Sequence, residues 1–86
     1  MFTRHLALEL GERGIRANCV APGTTMSERI EGLMSTEEIE RTSALAPLRR
    51  LGVPQDSANA TVFLLSEAAG WLTGVTLDVN GGRVML

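Results

Sequence analysis

The stretch that decides the fold is Asn18-Cys19-Val20-Ala21-Pro22-Gly23-Thr24-Thr25-Met26-Ser27. A short apolar run halts at Pro22, which cannot donate to a sheet ladder and restrains the residue before it. Gly23 follows, and then the hydroxyl-bearing Thr24, Thr25 and Ser27. On the residues alone, this is an ordinary strand-to-helix loop with Ser27 as a helix cap. It is also a place where another molecule can approach the backbone closely, because glycine carries no side chain.

Upstream, Phe2 to Arg13 reads as a helix, with Phe2, Leu6 and Leu10 spaced by four and Ala7 beside them. Thr3 is a candidate cap. Gly14 followed by Ile15 has the form of a helix stop, with glycine left-handed and the apolar residue folding back. Ile15 to Ala21 then reads as a strand closed by Pro22. Downstream, Ser27 to Leu45 is helical but thin. Ile30, Leu33 and Met34 make one small stripe and Ile39 another, after the cap Ser35-Thr36 with Glu38 following. Such a weakly apolar pair suits a mobile cover better than a core.

Residues 46–53 form a connector. Pro54 opens a stronger helix with Asp56 in its first turn, where the helix dipole favours negative charge. Its stripe is Ala58, Val62, Leu65 and Ala69, widened by Phe63 and Leu64. After a turn at Gly74, Val75, Leu77 and Val79 alternate with Thr76 and Asp78, the pattern of a second strand. It stops at Asn80-Gly81-Gly82. Two strands joined through a helix are most simply parallel, with a right-handed crossover. The class is α/β. Two strands are too little sheet, since each would leave an unpaired edge.

Composition narrows the chemistry. Eighty-six residues fit at most one small domain. A chain this short buries only about 60–65% of its unfolded surface. The formal charge of −2 argues against nucleic acid or an anionic membrane as partner. No apolar run reaches membrane-spanning length, and the first residues do not resemble a secretory signal. Cys19 is the single cysteine, which excludes an internal disulfide and a multi-cysteine zinc site and suits a reducing cytoplasm. There is no Tyr, all eight basic residues are Arg, and His5 is the single imidazole. Acid–base chemistry must then rest on His5, Cys19, carboxylates, or groups outside this sequence.

Several segments together resemble the C-terminal third of the short-chain dehydrogenase/reductase family. Residues 6–23, LALELGERGIRANCVAPG, are similar to its late helix, turn and sixth strand, ending in an Asn-x-Val-x-Pro-Gly signature. Residues 46–82 resemble its closing segment, with Pro-Leu-x-Arg-x-Gly-x-Pro, Phe-Leu-x-Ser and a terminal Val-Asp-Gly-Gly. That last motif here reads Val79-Asn80-Gly81-Gly82, a small departure. The resemblance covers nearly the whole chain, with these motifs in register. It implies a partial Rossmann-type fold: two parallel strands, a crossover helix and a helical lid, with residues 1–86 as the C-terminal portion of the domain.

The resemblance also implies a nicotinamide cofactor, NAD or NADP, across the carboxyl ends of the strands. That is where ligands bind in open α/β sheets. Its cofactor-binding residues would be Pro22, Gly23, Thr24, Thr25 and Ser27. The loop would touch the nicotinamide end through backbone groups at Thr25. Ser27, standing where the family usually has Thr, would contact the carboxamide or phosphates; it can cap and contact at once. No catalytic or metal-binding residue is expected. The family's Tyr-x-x-x-Lys pair cannot be present, because neither residue type is. Its Gly-x-x-x-Gly-x-Gly phosphate loop is absent as well.

The expected role follows. The resemblance implies that the chain supplies part of the nicotinamide pocket, substrate lid and subunit interface of an oxidoreductase similar to the 3-oxoacyl-carrier-protein reductases. The parent would move hydride between nicotinamide and the carbonyl or alcohol carbon of a small substrate. Alone, the chain should be inactive and bind NAD(P) weakly or not at all. The alternative is a non-catalytic remnant acting as an interaction module, self-associating or pairing through residues 54–79. Other residues have plainer readings: Asn18 bonding a nearby turn, Cys19 a buried thiol, His5 a surface residue, and Trp71 covering the end of the second major helix. Arg49-Arg50 reads as a solvated or salt-bridged pair, and Gly81-Gly82 as a chain reversal.

Overall fold

The computed structural model describes residues 1–83, apart from the side chain of Ile30. Helix α1 (Phe2–Leu10) runs into a 3-10 turn at Gly11–Arg13 and is followed by strand β1 (Cys19–Pro22). Helices α2 (Glu28–Leu33) and α3 (Thr36–Leu45) come next, then α4 (Pro54–Leu65), a 3-10 turn at Glu67–Ala69, and strand β2 (Thr76–Val79). The strands pair in parallel, Cys19 with Thr76 through Pro22 with Val79. Helix α4 packs against both. This is the expected α/β unit.

The end of the first helix follows its sequence signal. Gly14 has φ of 75°, its N–H bonds the Gly11 carbonyl at 2.9 Å, and the Ile15 N–H bonds the Leu10 carbonyl at 3.2 Å. Those two bonds are the left-handed glycine stop that uses up orphan carbonyls. Ile15 does not fold back under cover: it remains 47% exposed. At the other end, Met1 holds the cap position with no side-chain bond, so Thr3 does not cap.

Strand β1 starts four residues later than the apolar run predicted. Residues 16–18 face the 72–75 turn rather than a strand. The Ala17 N–H donates to Thr73 Oγ1 at 3.1 Å, and the Gly74 N–H returns to the Ala17 carbonyl at 2.7 Å. The Asn18 side chain brackets the same turn, its Nδ2 donating to the Leu72 carbonyl and its Oδ1 accepting from the Val75 N–H, each at 3.0 Å. Arg16 adds bonds to the Leu72 and Ser66 carbonyls at 3.2 and 3.4 Å. Gly74, at φ of 72°, lets the turn bend back. Asn18 thus serves the turn-bonding role expected of it. Strand β2 likewise begins at Thr76 rather than Val75, because the Val75 N–H is taken by Asn18.

The core is thin. Among the described residues only Ala46, Leu51, Leu64 and Ala69 are buried. The expected α4 stripe packs only at its far end: Ala69 is fully buried, but Val62 and Leu65 are 66% and 77% exposed, and Ala58 is exposed too. Leu64 is the α4 side chain that reaches inward. Trp71 is 99% exposed and covers nothing, a second correction. Cys19 is half-buried rather than buried, and His5 is exposed. The departures at α4, Trp71 and Cys19 share one cause: the described residues do not supply the apolar neighbours that burying these side chains requires.

Helix α3 carries the predicted capping box. The Glu38 N–H donates to Ser35 Oγ at 3.1 Å, and the Ser35 N–H donates to Glu38 Oε1 at 3.4 Å. Neither α3 nor any described side chain of residues 28–45 is buried.

Candidate functional site

Because β1 and β2 are parallel, their carboxyl ends lie on one edge, and the Pro22–Ser27 loop leaves from it. Pro22 is the last residue of β1 and is exposed; Gly23, Thr24 and Thr25 are half-buried and Ser27 is exposed. The Gly23 N–H continues the ladder to the Val79 carbonyl at 2.9 Å. A Cβ on Gly23 would lie 2.8 Å from Asn80 Cβ and 3.0 Å from Asn80 Cα. Gly23 is therefore required by the chain itself, before any ligand is considered.

Beyond Gly23 the loop is tied to the connector ahead of α4. The Gly52 N–H bonds the Thr24 carbonyl at 3.0 Å, and the Met26 N–H bonds the Gly52 carbonyl at 2.7 Å, forming a parallel bridge between Thr25 and Gly52. In that pattern Gly52 supplies both bonded groups, so the N–H and C=O of Thr25 point away from it. The Thr25 hydroxyl folds back onto the Gly23 carbonyl at 3.0 Å. Ser27 directly precedes α2, and its carbonyl accepts from the Glu31 N–H at 2.9 Å.

An ion pair flanks Gly52 in the connector. Arg50 makes a two-pronged bond to Asp56, Nη1 to Oδ2 at 2.7 Å and Nη2 to Oδ1 at 3.0 Å. Asp56 Oδ2 also accepts from the Val53 N–H at 2.7 Å, at the mouth of α4. The hydrogen bond from Arg50, followed by that from Val53, holds the Asp56 carboxyl down at about 2. The Arg pair thus divides as expected of a salt-bridged pair. Arg50 takes the carboxylate, while Arg49, at φ of 61°, donates to the Ala44 carbonyl at 3.0 Å.

The closing turn borders the loop from the other side. Asn80 Oδ1 accepts from the Gly82 N–H at 2.9 Å, and Gly81 and Gly82 take φ of 63° and 87°, the chain reversal expected of them. Arg83 Nη1 reaches Thr24 Oγ1 at 3.2 Å. An open cleft of about 770 Å³ lies beside this turn, lined by Leu48, Arg50, Gly52, Asn59, Asp78 and Asn80 among others. None of Pro22, Gly23, Thr24, Thr25 or Ser27 lines it. These loop residues form a rim of backbone and hydroxyl groups at the strand edge, and the cleft adjoins it through Gly52 and Asn80, which bond or crowd the loop and also line the cleft. Reading the motifs missed Asn80, Gly52 and Arg83 as the loop's partners. The crowding of Gly23 by Asn80 has no local signal, because it depends on strand register.

Among the described residues, no cluster of His, Cys, Asp and Glu is arranged to hold a metal ion, and no helix is long and apolar enough to cross a membrane.

Comparison with known proteins agrees with this geometry. Residues 1–83 match the family model described as Enoyl-(Acyl carrier protein) reductase. The chain is 43% identical over 83 residues to 7alpha-hydroxysteroid dehydrogenase of Escherichia coli, covering 96% of this chain and 32% of that protein. It is 42% identical over 85 residues to the 3-oxoacyl-[acyl-carrier-protein] reductase FabG of Rickettsia bellii, covering 99% of this chain and 35% of that one. A crystal structure of 3-oxoacyl-[acyl-carrier protein] reductase from Brucella melitensis superimposes with a TM-score of 0.91 at 39% identity, over 99% of this chain and 31% of that one. The chain therefore spans about a third of the length of the relatives it matches. With its parallel strand pair and Pro-Gly edge, the chain belongs to the short-chain dehydrogenase/reductase family of NAD(P)-dependent, Rossmann-type oxidoreductases.

Proposed function

We propose that the chain forms the nicotinamide-side wall of an NAD(P)-dependent oxidoreductase, corresponding to the C-terminal portion of the family domain, and is inactive by itself. One observation carries the reading: the Thr25–Gly52 bridge turns the Thr25 N–H and C=O away from the connector, at the carboxyl edge of the sheet. A donor and an acceptor side by side match a carboxamide, which offers one of each. Pro22 and Gly23 set the loop's exit, Thr24 and Ser27 add hydroxyls, and α2 and α3 cover the substrate. Proton transfer belongs to the family's Tyr and Lys, residue types this sequence lacks. The relatives' names span steroid, acyl-carrier and glucose/ribitol chemistry, so the wall is assigned to hydride transfer in general and to no one substrate. A cytoplasmic setting suits the free thiol of Cys19.

The test is a chimera in which this segment replaces the matched 83 residues of the E. coli dehydrogenase. The chimera should transfer hydride between NAD(P) and the dehydrogenase's own substrate. Thr25→Pro, which deletes the amide donor, should raise the cofactor KM at least about tenfold, the scale of one lost charge-free hydrogen bond in a closed site. An unchanged KM sinks the assignment. For the isolated chain, calorimetry with NADH or NADPH should show no binding at micromolar concentrations.

A second reading has its own observation. Ala58, Val62 and Leu65 present one exposed apolar face of α4, which suits association through residues 54–79.

A further inference from the structure

Gly52 bonds the candidate loop on both sides of Thr25, through its N–H to the Thr24 carbonyl and its own carbonyl to the Met26 N–H. Glycine has no side chain with which to fix its backbone. A Cβ on Gly52 would stand 3.6 Å from Asp56 Oδ2 and 3.5 Å from Thr25 Oγ1, so ordinary contact, and not crowding, surrounds it. Its direction is set through the two peptide units that flank it. Each unit is flat and trans, so the Leu51 carbonyl shares a plane with the Gly52 N–H, and the Val53 N–H with the Gly52 carbonyl.

Arg50 and Asp56 hold the outer group of each unit. Arg50 Nη1 donates to the Leu51 carbonyl at 3.1 Å, and Asp56 Oδ2 accepts from the Val53 N–H at 2.7 Å. The same two atoms, Nη1 and Oδ2, also bond each other at 2.7 Å, so the side chains close a ring over the connector. In a trans unit the N–H and C=O point in opposite directions, and fixing one aims the other. Held at the Leu51 carbonyl and the Val53 N–H, the connector must send the Gly52 N–H and carbonyl to the loop. The pair adds little stability at the surface, where its side chains are 55% and 26% exposed. A two-pronged bond supplies direction instead.

We infer that Arg50 and Asp56 are a positioning pair for the Thr24–Met26 loop: by aiming the N–H and C=O of Gly52, they set the direction in which Thr25 offers its own. The effect on the loop rests on this hydrogen-bond geometry. The effect on catalysis rests on the reading of Thr25 as a nicotinamide contact.

The test uses the chimera of the E. coli dehydrogenase carrying this segment, with deuterium exchange read at the Gly52 and Met26 amides. Arg50→Lys keeps the charge and loses the fork, and Asp56→Asn keeps an acceptor and loses the charge. Both positions are partly exposed, so neither change opens a cavity. Either should raise the cofactor KM about fivefold, leave kcat and the substrate KM within about twofold, and quicken both amides about tenfold. The double variant should be no worse than the worse single, since the two side chains act as a unit. Added to Thr25→Pro, neither should raise the cofactor KM further. Arg49→Lys, whose guanidinium serves the Ala44 carbonyl, should change nothing. Equal rises in cofactor and substrate KM, effects that add to Thr25→Pro, or unchanged amides overturn the inference. If Thr25→Pro is silent while Arg50→Lys quickens the amides, the nicotinamide assignment fails and the positioning of the loop stands. If Thr25→Pro raises the cofactor KM and both pair variants leave the amides as they were, the positioning fails and the assignment stands.

Discussion

The segment at residues 16–18 and the cover at residues 28–45 are both poor in buried side chains, yet they are built in opposite ways. The first is cross-tied: Arg16, Ala17 and Asn18 share bonds with the 72–75 turn, far away in sequence. In the second, the capping bonds of α3 are local, all between Ser35 and Glu38. Polar bonds between distant segments can hold a sheet edge in place where apolar burial is scarce. Local bonds hold only a helix. The strand edge is thus tied across the chain, while the capping bonds of α3 reach no further than its own first turn.

The sharpest way to break that contrast is Asn18→Ala. It strips the partner from the Val75 N–H and one partner from the Leu72 carbonyl, at a cost of about 1–3 kcal/mol. Denaturation should shift accordingly, and amide exchange at Gly74 and Val75 should quicken. If exchange there is unchanged, the tie is decorative. Ser35→Ala should cost about 1 kcal/mol, confined to the cover. Far-UV circular dichroism should show lost helix while exchange at Gly74 stays as it was; a coupled change would show that the two regions act as one. The smallest effect is acid. The Asp56 carboxyl lies at about 2 in the folded chain, below the ordinary value of 3.8. Protons therefore bind the unfolded chain first on acidification, and the stability Asp56 contributes, present above about pH 4, is lost as pH falls toward 2. Asp56→Asn should flatten that part of the stability–pH curve.

Local chemistry carried much of this into the sequence. Gly14, the Ser35-Glu38 box, Pro54 with Asp56, and the alternation of Leu77 and Val79 each announce their element with residues a few positions apart. The same holds for the Pro22-Gly23 exit and the hydroxyls after it. What was illegible depends on distant partners. The apolar run from Ile15 reads as strand throughout, but side-chain and turn bonds from residues 72–75 claim its first half. Ala58, Val62, Leu65 and Trp71 look like core because they are apolar, and they stay exposed because nothing in the described chain covers them. The partners of the candidate loop, Gly52 and Asn80, required knowing which strands pair and in what phase.

The contact between Gly23 and Asn80 has one more consequence, for fidelity during folding. A slip of two residues along β1 would keep every side chain on its proper face, so face polarity alone does not forbid it. Such a slip would bring Ala21 or Thr25 opposite Asn80, and either would push a Cβ into space that is already filled at 2.8 Å. From Ile15 to Thr25 only Gly23 lacks that atom. A single missing side chain thus works as a key: the two strands close in one alignment and reject the near misses.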